Sequence, residues 1–449
     1  MNSTIHFDSA WTAALNCARQ QAETGHDVVL VRDLLGRVTL VVDDQTVPQG
    51  VGEVDWAQVR ETFVQQVGAF SGLDPLQFTS AMFAPDALLQ SVDLLILHER
   101  TDQGAGRLAI LDRTVVGSDW LRPVAEDSTA LNRRVTLYGF KGGVGRSTAT
   151  AVLARFLAEE RGLCVLVIDL DLESPGVSSL LADPERLPDH GVVDHLVEDG
   201  LGNAAGLELV TRSNLLPVSG NGELWLAPAG GRPREGYDFL GKLNRIYSDL
   251  PATEPAGAPR TFARRLEAAV AACEAQVGER SRRPDVVLLD SRAGIHDVAA
   301  VAITQLSGLA LLFTVDNPAT WAGYKMLFQQ WSQSPTRAAD LRERLRVVAA
   351  MLPQATAAER LPQLREHAQE AFSVLYDDEQ RSDPSAFNPP LEALEAPHSP
   401  IPIIFSSDLV GLNARANPTW PELPLVKAAY DSFTATVLRL IPSACEEAS

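Results

Sequence analysis

The residues from Lys141 to Thr148, Lys-Gly-Gly-Val-Gly-Arg-Ser-Thr, have the types and spacing that hold phosphate. Gly142, Gly143 and Gly145, with Val144 between them, let the backbone curl so that successive N–H groups converge into a nest for anionic oxygens. A helix expected to begin near Ser147 adds its positive dipole end to the same spot. Lys141 and Arg146 contribute cations, and the Ser147 hydroxyl stands where a magnesium ion on a nucleotide takes an oxygen ligand. The strict phosphate-loop pattern asks for glycine at 140 and lysine at 146, where this chain has Phe140 and Arg146. Arginine keeps a permanent charge and can grip two phosphate oxygens with its fork, but it is bulkier and planar. The exchange therefore favours nucleotide binding over fast turnover.

Such a site also needs acids. Asp169-Leu-Asp171-Leu-Glu-Ser-Pro-Gly176 follows the apolar run Cys164–Ile168, and Asp290-Ser-Arg-Ala-Gly294 follows Val286–Leu289. Both lie where parallel α/β sheets present ligands, at the carboxyl ends of strands. Alternate residues of an extended segment share a face, so Asp169 and Asp171 are both expected to turn toward the loop. Asp290 reads as the acid that meets magnesium directly or through water. Gly294 is expected to offer a backbone N–H to a γ-phosphate and a pivot for movement. A single strand-end aspartate often does no more than cap a helix, but three motifs in this order argue for a shared site.

The elements that must position these groups follow from hydrophobic periodicity. From Arg134 onward strand and helix alternate, the pattern of a mostly parallel, doubly wound α/β sheet. Strands are expected at Val135–Phe140, Cys164–Ile168, Glu223–Ala227, Val286–Leu289, Leu309–Val315, Val347–Met351 and Ile401–Phe405. Helices are expected from the loop to Glu160 and at His190–Glu198, Phe262–Val277, Trp321–Trp331, Arg337–Arg344 and Leu425–Leu440. Leu201–Gly222 and Pro251–Pro259 read as loops. Residues 1–130 read as a separate α+β domain, with helices at Trp11–Glu23 and Val54–Val67 and two hairpins forming a small antiparallel sheet. They hold no catalytic constellation, which leaves a partner-binding or regulatory role by exclusion, and residues 131–449 form the nucleotide-binding domain.

Composition narrows the function classes. The chain has 449 residues and a formal net charge of −20. So acidic a surface repels nucleic acid and anionic lipid unless basic residues are concentrated locally. The clusters Arg280–Arg283 and Arg342–Arg346 read as solvated helix faces, which disfavours nucleic acid as a partner. The four cysteines lack a Cys-x-x-Cys pair, fitting a reducing cytoplasm rather than a zinc or iron–sulfur site. Asn2–Ser9 does not resemble a signal peptide, and no apolar run is long enough to span a membrane, so no integral membrane association is expected.

The ordered set of loop, Asp169/Asp171 and Asp290–Gly294 resembles the ParA/MinD family over about residues 134–441, with a variant of its deviant phosphate loop. Leu226-Ala-Pro-Ala-Gly230 and Ile401-Pro-Ile-Ile-Phe405 are looser matches. The resemblance implies an ATP- and Mg2+-dependent switch that forms a homodimer across the nucleotide and couples its state to a protein partner, here through residues 1–130. Lys141 looks like the signature lysine that reaches the partner's phosphates, Asp171 like the acid positioning the attacking water, and Asp169 like its neighbour supporting magnesium. Asp290 to Gly294 look like the Walker B and second switch segment. The chain departs from the family at Arg146, at Val348–Pro353, which lacks an adenine-reading asparagine, and at its acidic end Ser443–Ser449, which is unlike a basic membrane-binding tail. Slow hydrolysis is the first expectation, and a nucleotide-sensing scaffold without turnover the alternative.

Overall fold

The computed structural model describes residues 5–45, 54–91, 93–101, 104–113, 117–120, 122, 129–250, 259–377 and 386–441. The expected loop at 251–258, the acidic end 443–449 and most of the bridge between the domains lie outside those residues. Contacts divide the chain into two compact units, Met1–Pro123 with Gln333–Arg337, and Val124–Ser332 with Ala338–Ser449.

In the first unit, strands β1 (Asp27–Arg32), β2 (Val38–Asp43), β3 (Ser71–Phe78), β4 (Leu94–His98) and β5 (Leu108–Asp112) form one sheet in the order β3-β2-β1-β5-β4. The two expected hairpins, β1–β2 and β4–β5, are antiparallel, but β1 pairs with β5 and β2 with β3 in parallel. The sheet is therefore mixed rather than antiparallel. Strand β3 escapes a periodicity reading because Gly72 and Pro75 interrupt it; it lies at the sheet edge, where proline is tolerated. Alternation divides the two faces. Val28, Leu30, Leu40 and Ile110 pack against Ala10, Ala14 and Phe63 of helices Phe7–Glu23 and Trp56–Val67, while Val29, Val41 and Ala109 face the other way.

The second unit is an α/β fold on a doubly wound sheet. Its strands are β6 (Arg134–Gly139), β7 (Cys164–Leu170), β8 (Thr211–Arg212), β9 (Glu223–Ala227), β10 (Val286–Ser291), β11 (Leu309–Thr314), β12 (Leu345–Leu352) and β13 (Ile401–Ile404). They run in the order β13-β12-β11-β6-β10-β7-β9-β8, and only β8 is antiparallel to its neighbour. Val165 and Val167 of β7 pack with helices Arg146–Arg161 and Pro424–Leu440, whereas Cys164, Leu166 and Ile168 pack with Val192–Gly200 and Phe262–Arg280. Strands buried on both faces read as continuous apolar runs, which is why these were legible. The helix Ala357–Phe372 was not foreseen: Pro362 interrupts its pattern, and only Leu364, Ala368, Ala371 and Phe372 are buried.

The arginine clusters are not simple solvated faces. Arg280 donates to the Val210 carbonyl at 2.9 Å and Arg282 to that of Gly162 at 2.8 Å, while Arg342 is buried and pairs with Asp377 at 2.8 Å. Arg346 lies on β12 and donates to the carbonyls of Glu343 and Leu345. Arg280, Arg282 and Arg283 remain exposed, whereas Arg342 is buried.

Candidate functional site

Strand β10 lies between β6 and β7, so the phosphate loop after β6 and both acidic segments emerge at one edge of the sheet. The register places Asp290 opposite Asp169 on one side and Leu137 on the other. Gly143 and Gly145 have φ of +75° and +79°, left-handed values that glycine adopts without strain. Gly145 is also the N-cap of the helix Arg146–Arg161, whose first N–H groups are thereby aimed at the loop. A cavity of ≈ 320 Å³ opens there, lined by Lys141–Val144, Arg146, Ser147, Asp171, Ser174, Arg292 and Ala293.

Arg146 departs from expectation. Its fork grips two carboxylates: Nε donates to Asp290 at 2.9 Å and Nη2 to Asp171 at 2.9 Å. The guanidinium is nearly buried and Asp290 is fully buried, so each charge depends on the other for the solvation it has lost. Burial by itself pulls the Arg146 pKa down, but the two carboxylates outweigh it and leave the pKa raised. Asp290 is pushed up by burial, opposed by Arg146 and Ser147.

Ser147 Oγ donates to the second oxygen of Asp290 at 2.7 Å, and Thr150 adds a bond at 3.3 Å. The Ser147 hydroxyl lines the cavity and the buried Asp290 carboxylate lies directly behind it, oxygen groups of the kind that hold magnesium. Asp169 is different. It is fully buried, one oxygen accepts from Ser178 Oγ at 2.7 Å, the other accepts the Asp171 N–H at 3.2 Å, and burial followed by the charge of Asp290 pushes its pKa up to about 7. Those bonds suit a residue that shapes the Asp171 turn better than one that holds a metal.

Lys141 is exposed, with Nζ 5.7 Å from the Phe140 ring centroid. Thr148 lines a second, mainly apolar cavity of ≈ 240 Å³ that adjoins the loop at Gly143–Gly145 and includes Met351, Ile404 and Phe405. Gly294 has a left-handed φ of +81°, and its N–H donates to the Gly139 carbonyl at 3.2 Å instead of pointing free. Tyr138 Oη holds the Gly294 carbonyl at 3.1 Å.

Sequence reasoning missed several participants. Ser174 donates to the remaining Asp171 oxygen at 3.0 Å. Glu173, two residues past Asp171, pairs with Arg292, accepts from Tyr247 Oη and lies 3.2 Å from His296 Nε2. Arg292 was legible as the charged residue within Asp290–Gly294. Its link to Glu173 was not, because only the pairing of β7 with β10 brings the two segments together.

Among the described residues no group of three or more His, Cys, Asp or Glu is arranged to hold a metal ion by itself, and no helix is long and apolar enough to cross a membrane. Residues 135–375 match the family model described as the CobQ/CobB/MinD/ParA nucleotide binding domain. Among solved structures, similarity extends to the MinC:MinD cell division protein complex of Aquifex aeolicus, at 17% identity over 68% of this chain and 96% of that one, with a TM-score of 0.39. The structure of pNOB8 ParA bound to nonspecific DNA is similar at 11% identity over 71% and 99% of the two chains, with a TM-score of 0.39. No curated protein matches. On the family match, which spans more than half of its length, the chain belongs to the CobQ/CobB/MinD/ParA nucleotide-binding family.

Proposed function

We propose that the second unit is an ATP-binding switch that dimerises around its nucleotide and hydrolyses it slowly. The observation that carries this reading is the cavity at the glycine loop, with a helix N-terminus, three cations (Lys141, Arg146 and Arg292) and the Asp171 carboxylate around it, and Asp290 buried behind Arg146 and Ser147. Phosphates fit the loop, and the adjoining apolar cavity takes the base; adenine follows from family membership. Magnesium, held by Ser147 and Asp290, supplies charge that offsets the phosphates when bound. The exposed Lys141 is free to reach the phosphates of a second copy, and residues 1–130 bind a protein partner that senses the dimer.

Sedimentation of the full chain with ATP, ADP or no nucleotide tests this. A dimer is expected only with ATP, and Lys141→Ala is expected to abolish it while leaving the fold intact. An oligomeric state that ignores nucleotide would sink the reading.

One observation favours a second reading, a scaffold that binds without turnover: Arg146 already occupies Asp171, the acid expected to position water. Phosphate release separates the two. A slow wild-type rate abolished by Asp171→Ala supports the switch, and equal rates support the scaffold.

A further inference from the structure

With Nε on Asp290 and Nη2 on Asp171, and a side chain only 9% exposed, Arg146 is committed to the acids and poorly placed to serve a terminal phosphate. The same cavity has another arginine at its wall. Arg292 lies two residues beyond Asp290, its side chain is 32% exposed, and it pairs with the Glu173 carboxylate. The Tyr247 hydroxyl and the His296 ring both meet Oε1 of that carboxylate and stay with it if Arg292 leaves, while Oε2 gives up its partner. The paired atoms, Arg292 Nη1 and Glu173 Oε2, are buried, and what favours an exchange is that arginine on a phosphate forms charge-assisted, commonly paired hydrogen bonds.

From this geometry we infer that Arg292 is the cation that grips the terminal phosphate of a bound nucleoside triphosphate, kept in reserve by Glu173. The inference rests on the nucleotide-binding reading above and assigns within it a role that the loop lysine of the strict pattern would otherwise fill. Glu173 follows Asp171 and Arg292 follows Asp290. Exchange of Arg292 from carboxylate to phosphate therefore releases one acid-bearing segment from the other only when a third phosphate is present.

The test is titration of the full chain with ATPγS and with ADP, magnesium present. Arg292→Ala is expected to weaken ATPγS binding by about tenfold or more while changing ADP binding by less than about threefold. Arg292→Lys is expected to fall between, and Glu173→Gln to tighten ATPγS binding severalfold with ADP unchanged. Equal ATPγS affinity in the wild type and Arg292→Ala, or equal weakening for both nucleotides, overturns the assignment and leaves the nucleotide reading standing. A wild type that binds neither ligand overturns both. If Arg292→Ala does not fold, Glu173→Gln decides alone, and unchanged or weaker ATPγS binding overturns the inference.

Discussion

Arg146→Ala is expected to destabilise the second unit by about 3–5 kcal/mol, the usual result of truncating one partner of a buried ion pair. The reason is what stays behind. Asp290 is fully buried and would keep only Ser147 and Thr150, while Asp171 would keep Ser174. Arg146→Lys should cost less, because an ammonium keeps the charge although it cannot bridge both acids with a planar fork. A double-mutant cycle in urea identifies the source: Arg146→Ala with Asp290→Ala should cost clearly less than the sum of the single changes. Additive costs, or an Arg146→Ala protein within about 0.5 kcal/mol of wild type, which is the range of an ordinary surface substitution, would show that the bridge does not matter. Arg146→Lys has a second expected outcome, since loosening Asp171 should raise phosphate release above the wild-type rate.

The second large effect is expected far from the cavity. Arg265 is 2% exposed and donates from its Nη1 atom to the carbonyls of Ile246 and Ser248 at 2.9 and 2.8 Å, and from its Nη2 atom to that of Leu196. Asp199 lies 3.7 Å from its Nε and offsets part of the charge, while burial holds the pKa below the usual arginine value. One side chain thus fastens the segment after helix Phe239–Leu243 to helices Val192–Gly200 and Phe262–Arg280. Arg265→Ala takes the side-chain donor from the Ile246 and Ser248 carbonyls, at roughly 1–3 kcal/mol for each group that stays buried, while the Leu196 carbonyl keeps its place in helix Val192–Gly200. Because the segment can open to water, about 3 kcal/mol overall is the expected loss, within the range for breaking a buried network. Hydrogen exchange should show residues 239–250 losing protection first. Uniform loss across the sheet would mean that the contact supports the whole unit instead.

Much of the second unit was legible because its strands are buried on both faces and separated by turn residues. The acids at 169, 171 and 290 could be placed at one edge from strand order alone. Their partners could not. Arg146 looked like a phosphate ligand in sequence, and only the depth of Asp290 and the approach of Asp171 reveal why its fork turns inward. Gly294 was read as a pivot with a free N–H; it has a left-handed φ, but its N–H is spent on Gly139, across a strand boundary that no local pattern encodes. In the first unit, local pairing was readable and non-local pairing was not. The hairpins β1–β2 and β4–β5 follow from adjacent alternating segments, whereas the parallel contact of β1 with β5 joins residues 80 positions apart, such as Val28 and Leu108. Strand β3 and helix Ala357–Phe372 were lost to prolines that their surroundings tolerate.

The strand order also dictates a sequence of events during synthesis. Arg146 meets Asp171 after 25 further residues, but Asp290 only after 144. On a ribosome adding about 5–20 residues per second, the loop arginine therefore spends several seconds with one acid of its eventual pair. Strand β6 likewise lacks both of its neighbours, β10 and β11, until most of the unit has emerged. The nucleotide site is assembled late, by closure of distant segments, so a nascent chain stopped before β10 carries the whole glycine loop and Asp171 but lacks Asp290, the fully buried half of the charge balance that sets its arginine.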